Sequence, residues 1–319
     1  MSIGVLYEHP EWFTPLFRAL DRHGVPYERI DAANLSWNPA LTPGFSLLFN
    51  RMSPSAYLRG HTHAIRATSA YLDYAAARGI PLVNGPAAYA LEISKSRQLD
   101  LLDRLRIRHP ASRVINHPGR APAAADGLRF PIVVKPNIGG SGARIQRFDS
   151  EEALNDAVSR DALDIGIDGV ALVQELVPAR GGSITRVEIL DGEILYAIRL
   201  TPPAGHGFNL CPADVCRTPA ETAQNFCPAK PSMDIQRVDV SADTAGQAIA
   251  IASAASLDIC GIEYLVDDRD GQAYFYDINA LSNFVTDARD IVGFDPFERL
   301  VAYLAARHEA AHASVAFSA

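Results

Sequence analysis

Lysine is almost missing from this 319-residue chain: Lys95, Lys135 and Lys230 stand against twenty-six arginines. Such a bias suggests a GC-rich genome and gives each surviving lysine a claim to attention. Cysteine is also scarce, and four in so long a chain exclude a disulfide scaffold. The net charge of −8 leaves no electrostatic footprint for nucleic acid or anionic lipid. The longest apolar stretches, such as 248–256, fall far short of a membrane span. The opening Met1-Ser2-Ile3-Gly4-Val5 lacks the basic region of a signal peptide and reads as a first strand. These absences predict a cytoplasmic protein of two to three packed lobes, without nucleic-acid or membrane partners.

The first ninety residues alternate strand and helix. Strands are expected at 3–7, 26–30, 45–49 and 81–84, with helices at 10–23, closed by Gly24, and at 57–78, ended by Gly79. That alternation argues a small, open, doubly wound parallel sheet. From Ser94 the pattern becomes α+β. Leu99, Leu102 and Leu105 share a helix face that Pro110 stops, strands follow near 113–115, 132–135 and 170–176, and Ser150 caps a helix to 158. Asp191-Gly192 is a strong hairpin signal between strands 184–190 and 193–200. A helix over 242–257, a second hairpin over 261–266 and 272–279, and a helix at 296–310 complete the chain.

Two of the lysines occupy telling places. Lys135 ends an apolar strand just before Gly139-Gly140-Ser141-Gly142, and Lys95 opens a helix. A compact ammonium suits a phosphate as a point charge, where a guanidinium fork would not fit. The glycine run offers backbone N–H groups that could cradle phosphate, though many such loops are merely tight turns. It is not a Walker loop, since no lysine follows a glycine, and it lacks the last glycine and the helix of a dinucleotide fingerprint.

Alternation along the second hairpin puts Asp277 and Asn279 on one face. A five-residue turn pairing Val266 with Gln272 adds Glu263 to it. Two carboxylates and an amide oxygen make a hard-oxygen site suited to Mg²⁺, or else the polar side of an ordinary hairpin. In the first hairpin the same alternation places Arg186, Glu188 and Arg199 together. They are either a phosphoryl clamp or a solvated face.

Taken in order, Lys95, Lys135, the glycine loop, Gln174-Glu175-Leu176-Val177, Arg186, Glu263 and Asp277-x-Asn279 resemble the ATP-grasp superfamily, above all its RimK-type and glutathione-synthetase-like carboxylate–amine ligases. The resemblance implies a mixed α/β and α+β fold: a Rossmann-like pre-ATP-grasp domain at 1–90 and two α+β lobes clasping ATP. The lid would be 112–178, and the lobe with the metal site 91–111 plus 179–319. By the same resemblance Lys95 and Lys135 contact the ATP phosphates and Gly139, Gly140, Ser141 and Gly142 close over them. Gln174 and the backbone of Glu175 and Val177 hold adenine, and Arg186 and Arg199 stabilise the transferring phosphoryl group. Glu263, Asp277 and Asn279 hold one or two Mg²⁺ ions, for which Mn²⁺ can substitute.

The implied reaction activates a small-molecule or peptide carboxylate as an acyl phosphate, which an amine attacks to leave an amide, ADP and phosphate. Rival readings are a small-molecule kinase and a nucleotide-binding regulator without turnover; a homo-oligomer is compatible with each. Arg51, after the third strand, is a candidate anchor for a substrate carboxylate or simply a strand-end arginine, and Asn209 resembles a substrate-side asparagine of RimK-type ligases. The family's Glu-x-Asn-x-x-Pro-Gly reads here Asp277-Ile278-Asn279-Ala280-Leu281-Ser282-Asn283, so the loop after the metal strand departs from it. No acid stands at the usual ribose-binding distance after Glu175. The insert 201–236, with His206, Cys211, Cys216 and Cys227 among prolines, matches no usual zinc spacing and is expected to be an acceptor-pocket loop over reduced cysteines.

Overall fold

A computed structural model of the chain describes residues 1–140, 142–203 and 233–316. Ser141, and with it His206, Asn209, Cys211, Cys216, Cys227 and Lys230 of the insert, lie outside the described residues.

Three sheets organise the fold. The first is parallel, in the order β2-β1-β3-β4, from β1 (Ile3–Tyr7), β2 (Tyr27–Asp31), β3 (Leu47–Arg51) and β4 (Leu82–Val83). β1 and the first three residues of β3 are apolar on both faces because helices cover both sides. On one side α1 (Thr14–Arg22) packs Leu16, Phe17 and Leu20 against Leu300, Val301 and Leu304 of the long C-terminal helix Pro296–Ala316. On the other lies α2 (Thr62–Ala77), through Ile65, Tyr71 and Leu72. The helix expected over 57–78 is divided: a 3₁₀ turn, Pro54–Arg59, ends at Gly60 with φ +82°, and α2 starts after it. A left-handed residue cannot continue a right-handed helix, and glycine takes that conformation without strain. Strand order reverses between β1 and β3, so the C-terminal ends of both strands border the crevice where open α/β sheets bind ligands.

The second sheet, β5-β8-β6-β7, is antiparallel: β5 (Ser112–Ile115), β6 (Ile132–Pro136), β7 (Gln146–Phe148) and β8 (Ala171–Glu175). The helix Glu151–Ser159, capped by Ser150, whose Oγ accepts from the Ala153 N–H at 3.3 Å, covers one face with Leu154 and Ala157.

The third sheet runs β11-β10-β9-β12-β13, from β9 (Ile184–Leu190), β10 (Glu193–Thr201), β11 (Asp234–Arg237), β12 (Ile259–Val266) and β13 (Ala273–Asn279). Two helices, Lys95–Arg104 and Ala242–Ala254, bury its back face against Val187, Ile189, Ala197 and Ile262. Asp191 and Gly192 both have positive φ, +53° and +75°, as a two-residue hairpin turn requires. β11 forms the end of the insert expected to be a loop; Ile235 packs into the core there, a strand the prolines before it obscured.

Each hairpin carries a bulge, and the bulges overturn simple alternation. In the first, Leu195 is the extra residue: Tyr196 opposes Glu188, Ile198 opposes Arg186, and Arg199 opposes Thr185. Arg199 therefore lies on the other face from Arg186, contrary to the sequence expectation. In the second, Val266 pairs with Ala273 rather than Gln272, and the extra residue Tyr276 restores the phase. Glu263 thus opposes Asp277, as alternation alone required. A bulge adds one residue to one strand and flips which face every later side chain takes.

Candidate active site

Lys95 and Asp277 meet at the centre of the crevice between the second and third sheets, where their side chains form an ion pair. Lys95 starts its helix because Ser94 caps it, with Oγ accepting from the Arg97 N–H at 3.5 Å. Asn137, two residues beyond Lys135, bridges to this helix: its Oδ1 accepts from the Ser96 N–H at 2.9 Å, and its carbonyl from the Lys95 N–H at 3.2 Å. Strand β6 of the second sheet and the Lys95 helix are thereby fastened together, which brings the two lysines to one place.

Charge in this crevice is dense and mostly buried. Burial and then the Lys95 charge push the Lys135 ammonium down to about 7, against the pull of Asp277 and Glu263. Burial acts the same way on Lys95, but Asp277, Glu92 and Glu263 outweigh it and raise its pKa. For Asp277 burial is outweighed by Lys95 and Lys135, which hold its carboxyl below the usual range. Glu263 is pushed up by burial despite Arg186.

Arg186 lies deeper. Its Nε donates to Glu188 at 2.6 Å, Nη1 to Glu263 at 2.7 Å, and Nη2 to the Ser282 Oγ at 2.9 Å. Glu263 also accepts from the Tyr276 hydroxyl at 2.9 Å, and Asn279 directs Nδ2 at the Gly261 carbonyl, 3.3 Å away. The same Nδ2 lies 3.5 Å from the Glu263 Oε1, which leaves the Asn279 amide oxygen, among the described residues, without a protein donor to compete for it. No group of three or more His, Cys, Asp or Glu gathers among the described residues, but Mg²⁺ takes one or two carboxylates and fills the rest of its shell from phosphates and water. The Lys95 ammonium already sits as a cation against Asp277. Glu263, Asp277 and Asn279 fit that ion.

The other expected residues divide. The glycine loop reaches over the crevice onto the N-terminal unit. A Cβ on Gly140 would come within 2.9 Å of the Ser55 Cβ, one on Gly139 within 4.0 Å of the Lys95 Cε, and Gly142 has φ +68°. Gln174 is buried and donates to the Ser112 Oγ at 2.7 Å. The Glu175 N–H is spent on the Ala111 carbonyl (2.9 Å) and its Oε1 on the Arg129 N–H (2.8 Å). Val177 is buried in the turn that follows.

Two expected residues do not join the site. Arg199 is exposed on the opposite face of its hairpin. Arg51, the last residue of β3, does not open onto the crevice: 1% exposed, its guanidinium lies over the rings of Phe13 and Phe49. Its Nη2 donates to the Ser282 carbonyl (2.6 Å) and the Asn283 Oδ1 (2.9 Å). It clasps the loop after β13 rather than presenting a carboxylate anchor.

No family model matches the chain. A 131-residue stretch is 34% identical to a D-alanine–D-alanine ligase from Ectopseudomonas mendocina (strain ymp), taking in 41% of this chain and 39% of that enzyme. Likeness to solved structures extends over nearly the whole chain. D-cycloserine synthetase DcsG aligns with a TM-score of 0.70 at 18% identity, over 96% of this chain and 100% of that one. The ATP-grasp ligase PsnB complexed with a minimal precursor aligns at 0.66 and 18%, over 96% and 99%. VanG D-Ala:D-Ser ligase from Enterococcus faecalis aligns at 0.66 and 14%, over 96% and 99%. The chain has the ATP-grasp fold.

Within this ATP-grasp crevice, sequence reasoning missed Asn84, Glu92, Gln98, Gly261 and Ser282. Gln98 left a trace: it stands three and four residues before Leu101 and Leu102, on the apolar stripe of its helix, where a polar residue needs a buried partner. Glu92 ends the short helix Pro86–Glu92, and burial pushes its carboxyl up to about 7. The others carry no local signal.

Proposed function

We propose that the chain is an ATP-dependent carboxylate–amine ligase. The observation that carries this reading is the convergence of Lys95, Lys135 and Arg186 with Glu263, Asp277 and Asn279 under a glycine loop, in a crevice between two α+β layers. Phosphoryl transfer needs positioning and charge neutralisation more than a nucleophile, and this site is built of fixed cations and hard oxygens. The second sheet acts as the lid lobe and the third as the ion-binding lobe, with residues 1–90 as the preceding domain.

Lys95 and Lys135 hold the phosphates of ATP, and Lys95 leaves Asp277 to do so. Mg²⁺, when bound, neutralises phosphate charge; Glu263, Asp277 and Asn279 hold it. Arg186 orients Glu263 and opposes the upward push that burial gives its carboxyl. The carbonyl of Glu175 and the N–H of Val177 face the purine edge, and the glycine loop shuts water from the acyl phosphate. Substrates are a small amino-acid or peptide carboxylate and an amine, a reading supported by the likeness to PsnB in complex with its precursor and to the D-alanine–D-alanine ligase. No helix among the described residues is long and apolar enough to cross a membrane; a cytoplasmic place belongs to this reading.

The test is a matrix of amino acids, short peptides and amines assayed for ADP and phosphate release, with hydroxylamine added to trap acyl phosphate. Hydroxamate formation with one carboxylate is the expected result. A phosphorylated product without hydroxamate would convert the reading to a kinase, and ATP binding without ADP release across the matrix would make the chain a regulator.

A further inference from the structure

β13 carries two of the three residues proposed to hold the ion, yet among the described residues it is the last strand of its sheet. Asp277 and Asn279 pair with Glu263 and Gly261 of β12, while the intervening residues turn their N–H and C=O groups to the open edge. That edge is buried under the N-terminal half of the chain, where an unmet backbone group is costly.

Side chains stand where the next strand would be. At Ile278, Gln98 accepts from the N–H through Oε1 at 3.2 Å and donates Nε2 to the carbonyl at 2.8 Å. Two residues on, Glu92 accepts from the Ala280 N–H and the Asn84 Nδ2 donates to the Ala280 carbonyl. Two further on, the Arg51 Nη2 donates to the Ser282 carbonyl at 2.6 Å. The groups met are at every second residue, as on the open side of a strand, although Ala280 and Ser282 lie just beyond the end of β13 and the four side chains come from four separate segments. Each is buried, between 1% and 8% exposed. Asn84 is itself fixed: held at φ +52°, its Oδ1 accepts from the N–H groups of Asp258 (2.9 Å) and Ile259 (3.3 Å).

The bulge at Tyr276 gives this edge work to do. A strand with an extra residue has its side-chain phase set locally, and an edge strand with few partners slips readily. We infer that Gln98, Glu92, Asn84 and Arg51 form a surrogate strand of positioning residues, which fixes β13 so that Asp277 and Asn279 present their oxygens beside Glu263. The inference rests on the ligase reading of that site. It also explains the departure from Pro-Gly: Ser282 and Asn283 are the residues this clamp and Arg186 grip.

Three variants test it. Gln98→Met removes bonds to β13 and Glu92→Met the bond to Ala280 just after it, both at similar volume, whereas Glu92→Gln keeps an acceptor for the Ala280 N–H and discards only the charge. Mn²⁺ binding in the presence of ADP, followed by electron paramagnetic resonance, is expected to weaken roughly tenfold in both Met variants, the scale of lost outer-shell support at metal sites. It should stay within about twofold of wild type in Glu92→Gln, and ADP binding without metal should change little in all three. Amide exchange at Ile278 and Ala280, measured with neither ion nor nucleotide, should quicken in the Met variants. If one Met variant fails to fold, the Glu92 pair or the remaining variant decides. Wild-type Mn²⁺ affinity in the Met variants overturns the inference. If wild type binds no Mn²⁺ with ADP, the ligase reading of the site falls; unchanged exchange at Ile278 and Ala280 then overturns the clamp as well.

Discussion

A Cβ on Gly261 would fall 2.1 Å from the Nη2 of Arg186. The guanidinium lies flat against the one position of β12 that has no side chain, and from there reaches Glu188 on its own strand and Glu263 on the next. Arg186 neutralises two buried carboxylates only because Gly261 makes room for it.

Gly261→Ala should therefore act as an active-site mutation without touching a charged residue. The added methyl must displace the guanidinium, since Nη2, Cζ and Nε of Arg186 would all lie within 2.6 Å of it. Overpacking of this kind costs about 1–3 kcal/mol, and displacement of Arg186 leaves Glu188 and Glu263 under-compensated. Urea denaturation and ADP release are expected to fall together. An alanine variant with wild-type stability and turnover would show that the guanidinium does not need this seat.

Lys135→Ala should reduce turnover by roughly a hundredfold or more, the scale of losing one preorganised electrostatic contact to developing charge. Lys135→Arg should rescue poorly, because a rigid fork does not replace a compact ammonium in a closed site. Asp277→Ala is expected to abolish turnover as well. Full activity in Lys135→Ala would sink the site assignment.

The depressed pKa of Lys135, about 7, has a calorimetric consequence. Its ordinary value is near 10.4, so in the folded chain without nucleotide the amine is mainly neutral at pH 8. Phosphate charge restores the ammonium, and ATP binding must take up a proton between pH 7 and about 10. Uptake should be larger at pH 8 than at pH 6, where Lys135 is already charged. Isothermal titration in two buffers of different ionisation enthalpy measures it; equal apparent enthalpies at pH 8 would contradict the prediction. By the same linkage Lys135 costs folding stability fully below pH 7, and the cost disappears as pH rises through the unfolded value.

Ser282→Ala tests the loop that departs from the family pattern. Ser282 is fully buried; its Oγ donates to Glu188 and accepts from Arg186. Alanine leaves a buried carboxylate oxygen without that donor, at about 1–3 kcal/mol. A lowered urea midpoint with an unchanged slope is the expected result, and an unshifted midpoint would mean the hydroxyl contributes nothing.

Local pattern made much of this legible. β1 and β9 fall where alternation and apolar runs put them, and Asp191-Gly192 forms the turn that its positive φ values demand. The scarcity of lysine pointed to Lys95 and Lys135, which do converge. Arg199 shows where local reasoning breaks. Period-2 alternation put it beside Arg186, and one inserted residue, Leu195, moved it to the other face. Glu263 was assigned to the right face through a register that was itself off by one, because the bulge at Tyr276 cancelled the slip. Bulges leave almost no mark in sequence, since the extra residue is of ordinary type.

The sequence by itself determined most of the long strands and helices, though not β7, β11 or the helix Pro86–Glu92, and with them the two lysines, the glycine loop and the acidic hairpin, because each rests on contacts among residues near in the chain. Only the tertiary structure decided that Arg51 grips a loop instead of a ligand, that Gly261 seats Arg186, and that Gln98, Glu92 and Asn84 hold the end of β13 and the residue after it. These depend on partners far apart in the chain, such as Arg51 with Ser282 and Asn84 with Ala280. A buried backbone group takes whatever partner the packed fold delivers, and nothing in the neighbouring sequence says which one it is.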